Sequence, residues 1–317
     1  MELTSKQLEQ YHDDGFLIIR DFFTRERLQP VMDWIDELVA SLADHLYESG
    51  KIKDKHENEG YSTRLTSLER EFPGAAVLIH IGGVLGKPLA ELWADPALLD
   101  IVEQILGPEI AGHPVWNLRS KTPLNPLATV PWHQDTAYLA EGAHWTLQPT
   151  AWIPLVDANA KNGTLQVLRG GHKPAQKSAG PVLRHHLENS KGDQRSWYLY
   201  IDEKDLPPGD IVTCEMELGS LLLLNQLVPH RSTENQSNQI RWSVDLRWQR
   251  PNEVSGFEGV KDPILMRTAQ NPAYQLDWSE WAQQNRVKAA MDDQEKGTFD
   301  ISVMGPWLHR WAEKQEN

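Results

Sequence analysis

Asp210–Gln249 reads DIVTCEMELGSLLLLNQLVPHRSTENQSNQIRWSVDLRWQ. Three runs within it, Asp210–Met216, Ser220–Asn225 and Ile240–Gln249, are strand-length and rich in β-formers. The last alternates polar and apolar residues along Ile240-Arg241-Trp242-Ser243-Val244-Asp245-Leu246-Arg247-Trp248, the period of a strand. Further back, Pro114–Lys121, Gln148–Val156, Thr164–Leu168 and Trp197–Ile201 repeat this texture, with turn residues between them. Short strands without intervening helices predict a sandwich or barrel rather than a β-α-β sheet.

The flanks read differently. Thr4 can cap a helix over Ser5–His12, and GFLIIRDFF from Gly15 is strand-like. Thr24 precedes a long amphipathic helix with Leu28, Val31, Ile35, Leu38, Leu42 and Leu46 on one face, ended by Gly50. Two more helices are expected at Pro88–Trp93 and Pro96–Leu106, and after Gln249 loops with helices at Trp278–Met291 and Pro306–Glu313. The expectation is one domain over residues 1–317, mainly β with helical additions. It has a helical part to about residue 108, a β-core over about 110–250 and a helical extension from 251.

Composition narrows the function. Apolar residues are 40% of the 317, enough for a packed core. A formal net charge of -14 argues against nucleic acid as a partner, because phosphate recognition relies on clustered Lys and Arg. No apolar run approaches the roughly 18–20 residues that span a bilayer, and the polar N-terminus is unlike a targeting peptide. No membrane association and a cytoplasmic location are therefore expected. The single cysteine, Cys214, excludes an intramolecular disulfide and a cysteine-based zinc site, and its alternating surroundings suit a buried structural thiol. Nothing in the sequence bears on oligomeric state.

Trp132-His133-Gln134-Asp135 is the feature that carries chemistry. In extended backbone, residues i and i+2 point the same way, so His133 and Asp135 can grip one ion. With a distant second histidine they would form the two-histidine, one-carboxylate facial triad of non-haem iron(II) oxygenases, which leaves positions open for other ligands. An H-x-D tripeptide alone is weak evidence in a chain with 12 histidines. His230 and the eleven residues after it, RSTENQSNQIR, change that weight.

His230, Ser232, Asn235, Ser237 and Arg241 follow in order the spacing of the phytanoyl-CoA dioxygenase (PhyH) family of 2-oxoglutarate oxygenases, which the chain resembles. Asn162-Gly163-Thr164-Leu165-Gln166-Val167-Leu168-Arg169-Gly170-Gly171-His172 is similar to a second family block, with Arg169 and Gly171 where Pro and Ser are usual. Asp14-Gly15-Phe16-Leu17-Ile18-Ile19 resembles the family's opening, so the likeness runs from about residue 5 to 250.

The resemblance implies a double-stranded β-helix, the jelly-roll or cupin-like core, with iron(II) held by His133, Asp135 and His230 at its mouth. It implies 2-oxoglutarate and dioxygen as co-substrates. Arg241 would take the distal carboxylate of 2-oxoglutarate, Ser232 would supply a hydroxyl, and Trp152 would line the pocket. Asn117, Arg119 and Lys121 share one strand face; the family places a polar or cationic residue there, and which of the three contacts the co-substrate stays open, with Asn117 and Lys121 put forward. Alternation by itself is equally that of a solvated face, and most of the 13 tryptophans must be structural. Tyr138, Trp145, Arg247 and Trp248 are candidates for contacting a small-molecule substrate. The implied reaction is hydroxylation of an unactivated C–H bond with release of succinate and carbon dioxide; Asp135 argues against halogenation, which needs a small residue there. Two other classes stay open: a cupin-like metal or 2-oxoglutarate sensor or scaffold without turnover, and a zinc hydrolase, which would not need Arg241.

Overall fold

The computed structural model describes residues 2–81, 85–173, 187–188, 198–256, 262–273 and 299. In chain order the elements are α1 (Ser5–Asp14), β1 (Phe16–Ile19), α2 (Arg25–Glu48), α3 (Arg64–Glu71), α4 (Ala75–Ile81), α5 (Lys87–Trp93) and α6 (Pro96–Leu106). They continue as β2 (Ile110–Gly112), β3 (Asn117–Lys121), β4 (Thr150–Pro154), β5 (Leu165–Leu168), β6 (Leu187–Glu188), β7 (Leu199–Tyr200), β8 (Ile211–Thr213), β9 (Leu221–Leu224), β10 (His230–Ser232), β11 (Arg241–Gln249) and β12 (Ile264–Arg267).

The large antiparallel sheet runs β1-β9-β4-β11, and the far edge of β11 is shared by β3 and by β2, which pairs onward with β12. The small sheet runs β10-β5-β8, and β6 and β7 pair antiparallel with each other. The sheets pack face to face: Phe16, Trp152, Leu222 and Leu224 of the large one meet Leu165 and Val167 of the small one, with Cys214, Met216 and Val228. The outer face of the large sheet carries the helices, and Leu221, Leu223, Ala151, Ile153, Val244 and Leu246 join the apolar faces of α2, α5 and α6 there. The large sheet is therefore buried on both sides, which explains why Leu221-Leu222-Leu223-Leu224 is apolar without a break. This is the expected jelly-roll, mainly β with helical additions.

Local chemistry sets the element ends. Thr4 and Gln7 form a reciprocal capping box on α1, and Gly15 closes it with φ 81, its N–H donating to Tyr11 O. A Cβ on Gly15 would stand 2.4 Å from the His172 ring, whose Nε2 sits 2.9 Å from His12 O. His172 is thus a structural tie between the two sequence blocks. Asn235 shapes the β10–β11 turn: its amide donates to Lys121 O and Gln239 O, both at 2.8 Å, and its Oδ1 accepts from Ser237.

Three features depart from the sequence reading. Helices α3 and α4 were not anticipated as elements, since Pro73-Gly74 leaves each stretch too short to display a helical period. The region after Gln249 does not return only to loops and helices: β12 adds a strand to the large sheet through β2. The strand expected from Pro114 begins at Asn117. The helices expected at Trp278–Met291 and Pro306–Glu313 lie outside the described residues. Among the described residues, no helix is long and apolar enough to cross a membrane.

Candidate metal centre

His133 and His230 face each other across an antiparallel bridge, each backbone N–H donating to the other's carbonyl at 3.0 Å. Directly opposed residues project to the same side of a sheet, and the two imidazole centroids lie 4.2 Å apart. His133 Nδ1 is 2.8 Å from Pro131 O and His230 Nδ1 is 3.0 Å from Val228 O. A carbonyl only accepts, so each Nδ1 carries the proton and each Nε2 keeps its lone pair. Gln134 between them is extended (φ -113, ψ 133), which turns Asp135 to the same side. Asp135 Oδ1 lies 3.6 Å from His133 Nε2 and 3.8 Å from His230 Nε2. All three ligand atoms fall within 4.8 Å of one another, the arrangement a single cation would hold together.

The other carboxylate oxygen is occupied. Asp135 Oδ2 accepts from Arg247 Nη2 at 2.8 Å, Arg247 Nε at 3.2 Å and Thr150 Oγ1 at 3.2 Å. These partners fix the carboxylate's rotation and leave Oδ1 toward the histidines. Burial alone would push the Asp135 carboxyl up, but the Arg247 guanidinium opposes it, and the group is held well below the usual carboxylate range. Burial and the neighbouring His133 push His230 down to about 4, so at neutral pH it is the uncharged imidazole that a metal ligand must be.

His133, Asp135 and His230 line a cavity that, counting its open mouth, encloses about 860 Å³. At another part of its wall Arg241, 3% exposed, lies with its guanidinium 5.1 Å from the Trp152 ring centre and donates from Nη1 to Ser243 Oγ at 2.6 Å. Burial lowers it to about 10, which still leaves a cation at neutral pH. Lys121 is its partner in the β3–β11 ladder, and Lys121 Nζ donates to Ala128 O at 2.6 Å and Ser232 Oγ at 2.9 Å. Burial, then Arg241 and Arg119, push the Lys121 ammonium well below its ordinary value. Its stem packs on Gly163 (φ 84), where a Cβ would stand 2.6 Å from it. Among the described residues no carboxylate pairs with Arg241 or Lys121. The nearest counter-charge acting on Arg241 is Asp245, which is not in direct contact with it.

A family model for phytanoyl-CoA dioxygenase (PhyH) matches residues 11–243. The chain belongs to the phytanoyl-CoA dioxygenase (PhyH) family. Relatives include an ectoine dioxygenase of Bordetella parapertussis, 25% identical over 76% of this chain and 74% of the relative. A 1-deoxypentalenic acid 11-beta-hydroxylase of Streptomyces arenae is 27% identical over 80% and 84%. The fold is shared with the non-heme monooxygenase ThoJ (TM-score 0.55, 19% identity, 91% of this chain and 95% of that one). It is also shared with EctD from S. alaskensis, solved with 2-oxoglutarate and 5-hydroxyectoine (TM-score 0.51, 17% identity, 79% and 77%).

In this PhyH member His133, Asp135, His230, Arg241, Ser232, Trp152 and Lys121 converge on one cavity. Asn117 does not line it; its amide is turned to Asp245 at 3.3 Å. Of the four residues expected at substrate, Arg247 lines the cavity and donates to Asp135. Tyr138 stands edge-on to His133, 5.8 Å between ring centres, and its oxygen accepts from Leu199 N–H at 3.0 Å. Trp145 is 66% exposed and outside the cavity wall. Trp248 is a correction: even-numbered residues of β11 face the helices, so it is in the core with 0% exposure. Sequence reasoning missed Asp245 and Thr150. Asp245 shares the alternation of Arg241 and Arg247 that was visible in the sequence, and accepts from Arg119 Nε at 2.9 Å.

Proposed function

We propose that His133 Nε2, Asp135 Oδ1 and His230 Nε2 hold the iron(II) of this 2-oxoglutarate-dependent oxygenase, and that Arg241 binds the distal carboxylate of the co-substrate. The observation that carries the reading is a buried, carboxylate-free guanidinium in the wall of the same cavity into which three free ligand atoms converge. A planar fork suits a carboxylate through paired charge-assisted hydrogen bonds. Ser232 and Lys121 stand beside Arg241 to extend that contact, and Trp152 forms an apolar floor under it. When bound, iron(II) and 2-oxoglutarate supply the oxidising chemistry: dioxygen converts the oxoacid to succinate and carbon dioxide, and one oxygen atom enters a C–H bond of the substrate.

The protein's own part is placement. The Pro131 and Val228 carbonyls keep the protons on Nδ1, and Arg247 and Thr150 keep Oδ1 available. The direct test is succinate formation from 2-oxoglutarate by iron(II)-loaded protein in air. Wild-type protein should release succinate and Arg241→Ala should lose most of that activity by a rise in the KM for 2-oxoglutarate. Equal turnover in the two would sink the assignment of Arg241.

A further inference from the structure

Arg119 occupies the ladder position between the Lys121–Arg241 pair and the Asn117–Asp245 pair, opposite Ser243. Its Nε donates to Asp245 Oδ2 at 2.9 Å, and its side chain retains 22% exposure against 9% for Asp245. A guanidinium that only neutralises a carboxylate commonly turns its two-pronged edge to it. Here a single Nε bond anchors the group, and among the described residues its Nη1 and Nη2 donate to nothing. Arg119 lines the same cavity as the metal ligands.

Charge points the same way. Among the described residues Arg119, Arg241 and Arg247 bring three positive charges to the cavity wall, and Asp135 and Asp245 bring two negative ones. Iron(II) and the 2-oxoglutarate dianion cancel each other. One positive charge is left over, and a second if Lys121 keeps its proton. An enclosed site with an uncompensated cation favours an anionic guest.

We propose that the substrate of this oxygenase carries a carboxylate, held by the Nη groups of Arg119 while Asp245 orients the guanidinium. The inference rests on the iron and 2-oxoglutarate assignment made above. It makes Arg119 a specificity-determining residue, distinct from Arg241, which serves the co-substrate.

The test is calorimetric titration of the anaerobic iron(II) protein, first with 2-oxoglutarate and then, at saturation, with butyrate, octanoate and cyclohexanecarboxylate and their amides. At least one carboxylate should bind, with its amide weaker by about tenfold or more, the size expected for charge-assisted hydrogen bonds. Arg119→Gln should abolish that preference while leaving 2-oxoglutarate affinity within about twofold, well below the loss of one such bond. Because Arg119→Gln leaves Asp245 unpaired, the Arg119→Gln/Asp245→Asn protein, whose cavity charge is unchanged, provides a second variant with the same expected result. Amides binding as well as carboxylates, no carboxylate binding at all, or an equal loss of 2-oxoglutarate affinity would overturn the inference. Failure of wild-type protein to bind 2-oxoglutarate would sink the co-substrate assignment and this inference with it. Normal 2-oxoglutarate binding with carboxylates indifferent to Arg119 overturns this inference alone.

Discussion

Strand β11 has two faces that are equally buried and chemically opposite. Trp242, Val244, Leu246 and Trp248 enter the helical core, while on the other face Arg241, Asp245 and Arg247 line the cavity and Ser243 accepts from Arg241, and all eight are buried. On the first face burial is favourable in itself, and side chains need only fill volume. On the second it is unfavourable unless each polar group finds a partner. Asp245 finds Arg119 and Arg247 finds Asp135, but Arg241 finds no carboxylate. One strand thus separates residues of the apolar core from those that line the cavity, and Arg241 is the exception on the polar face.

Four measurements break or sharpen that contrast. The largest effect is expected on the apolar face: Trp248→Ala should destabilise the fold by about 3–5 kcal/mol, read as a fall in the urea midpoint. A small loss would mean that the even-numbered face is loosely packed. Next comes the pH dependence of the metal-free protein. The His230 imidazole lies at about 4 in the fold against an ordinary 6.5, so between those values the unfolded chain binds more protons. Stability is then full above about pH 6.5 and falls by up to about 3 kcal/mol as the pH drops toward 4. His230→Gln should flatten that slope, and an unchanged slope would contradict a neutral buried His230. Third, Arg247→Met should weaken metal binding by about 10–100-fold, measured by metal titration at constant pH, because it frees the rotation of Asp135. Unchanged affinity would leave Arg247 as a packing residue. The smallest effect concerns Cys214, whose thiol burial pushes up to about 12: iodoacetamide should not label it in native protein at pH 8 and should label it after unfolding.

What could be read in advance was what is local. His133-Gln134-Asp135, the spacing from His230 to Arg241, and the β-texture from about Ala111 are adjacent in sequence, and they pointed to the fold class and to residues that the fold brings to one cavity. What escaped depends on long-range pairing. Arg247 and Asp245 stood in plain view, yet polar residues at every second position read as a solvated face. The residues that close over that face, Leu165, His230 and Ser232 of the small sheet among them, come from distant parts of the chain and make it a cavity wall. The choice among Asn117, Arg119 and Lys121 turns on register: Lys121 stands opposite Arg241, whereas Asn117 stands opposite Asp245 and is absorbed by it. Trp248 was misplaced by the same blindness to sides. Strands β2 and β12 are three and four residues long and exist through pairing with each other, which no single segment displays.

The central claim is that the triad and Arg241 bind one oxoacid between them. Anaerobic addition of iron(II) and then 2-oxoglutarate, followed by visible absorption, tests it most directly. The account predicts a charge-transfer band that needs both additions, is lost in His230→Ala, and in Arg241→Ala appears only at much higher 2-oxoglutarate concentration. Bound iron with no band in the wild-type protein, or a band indifferent to Arg241, would contradict it.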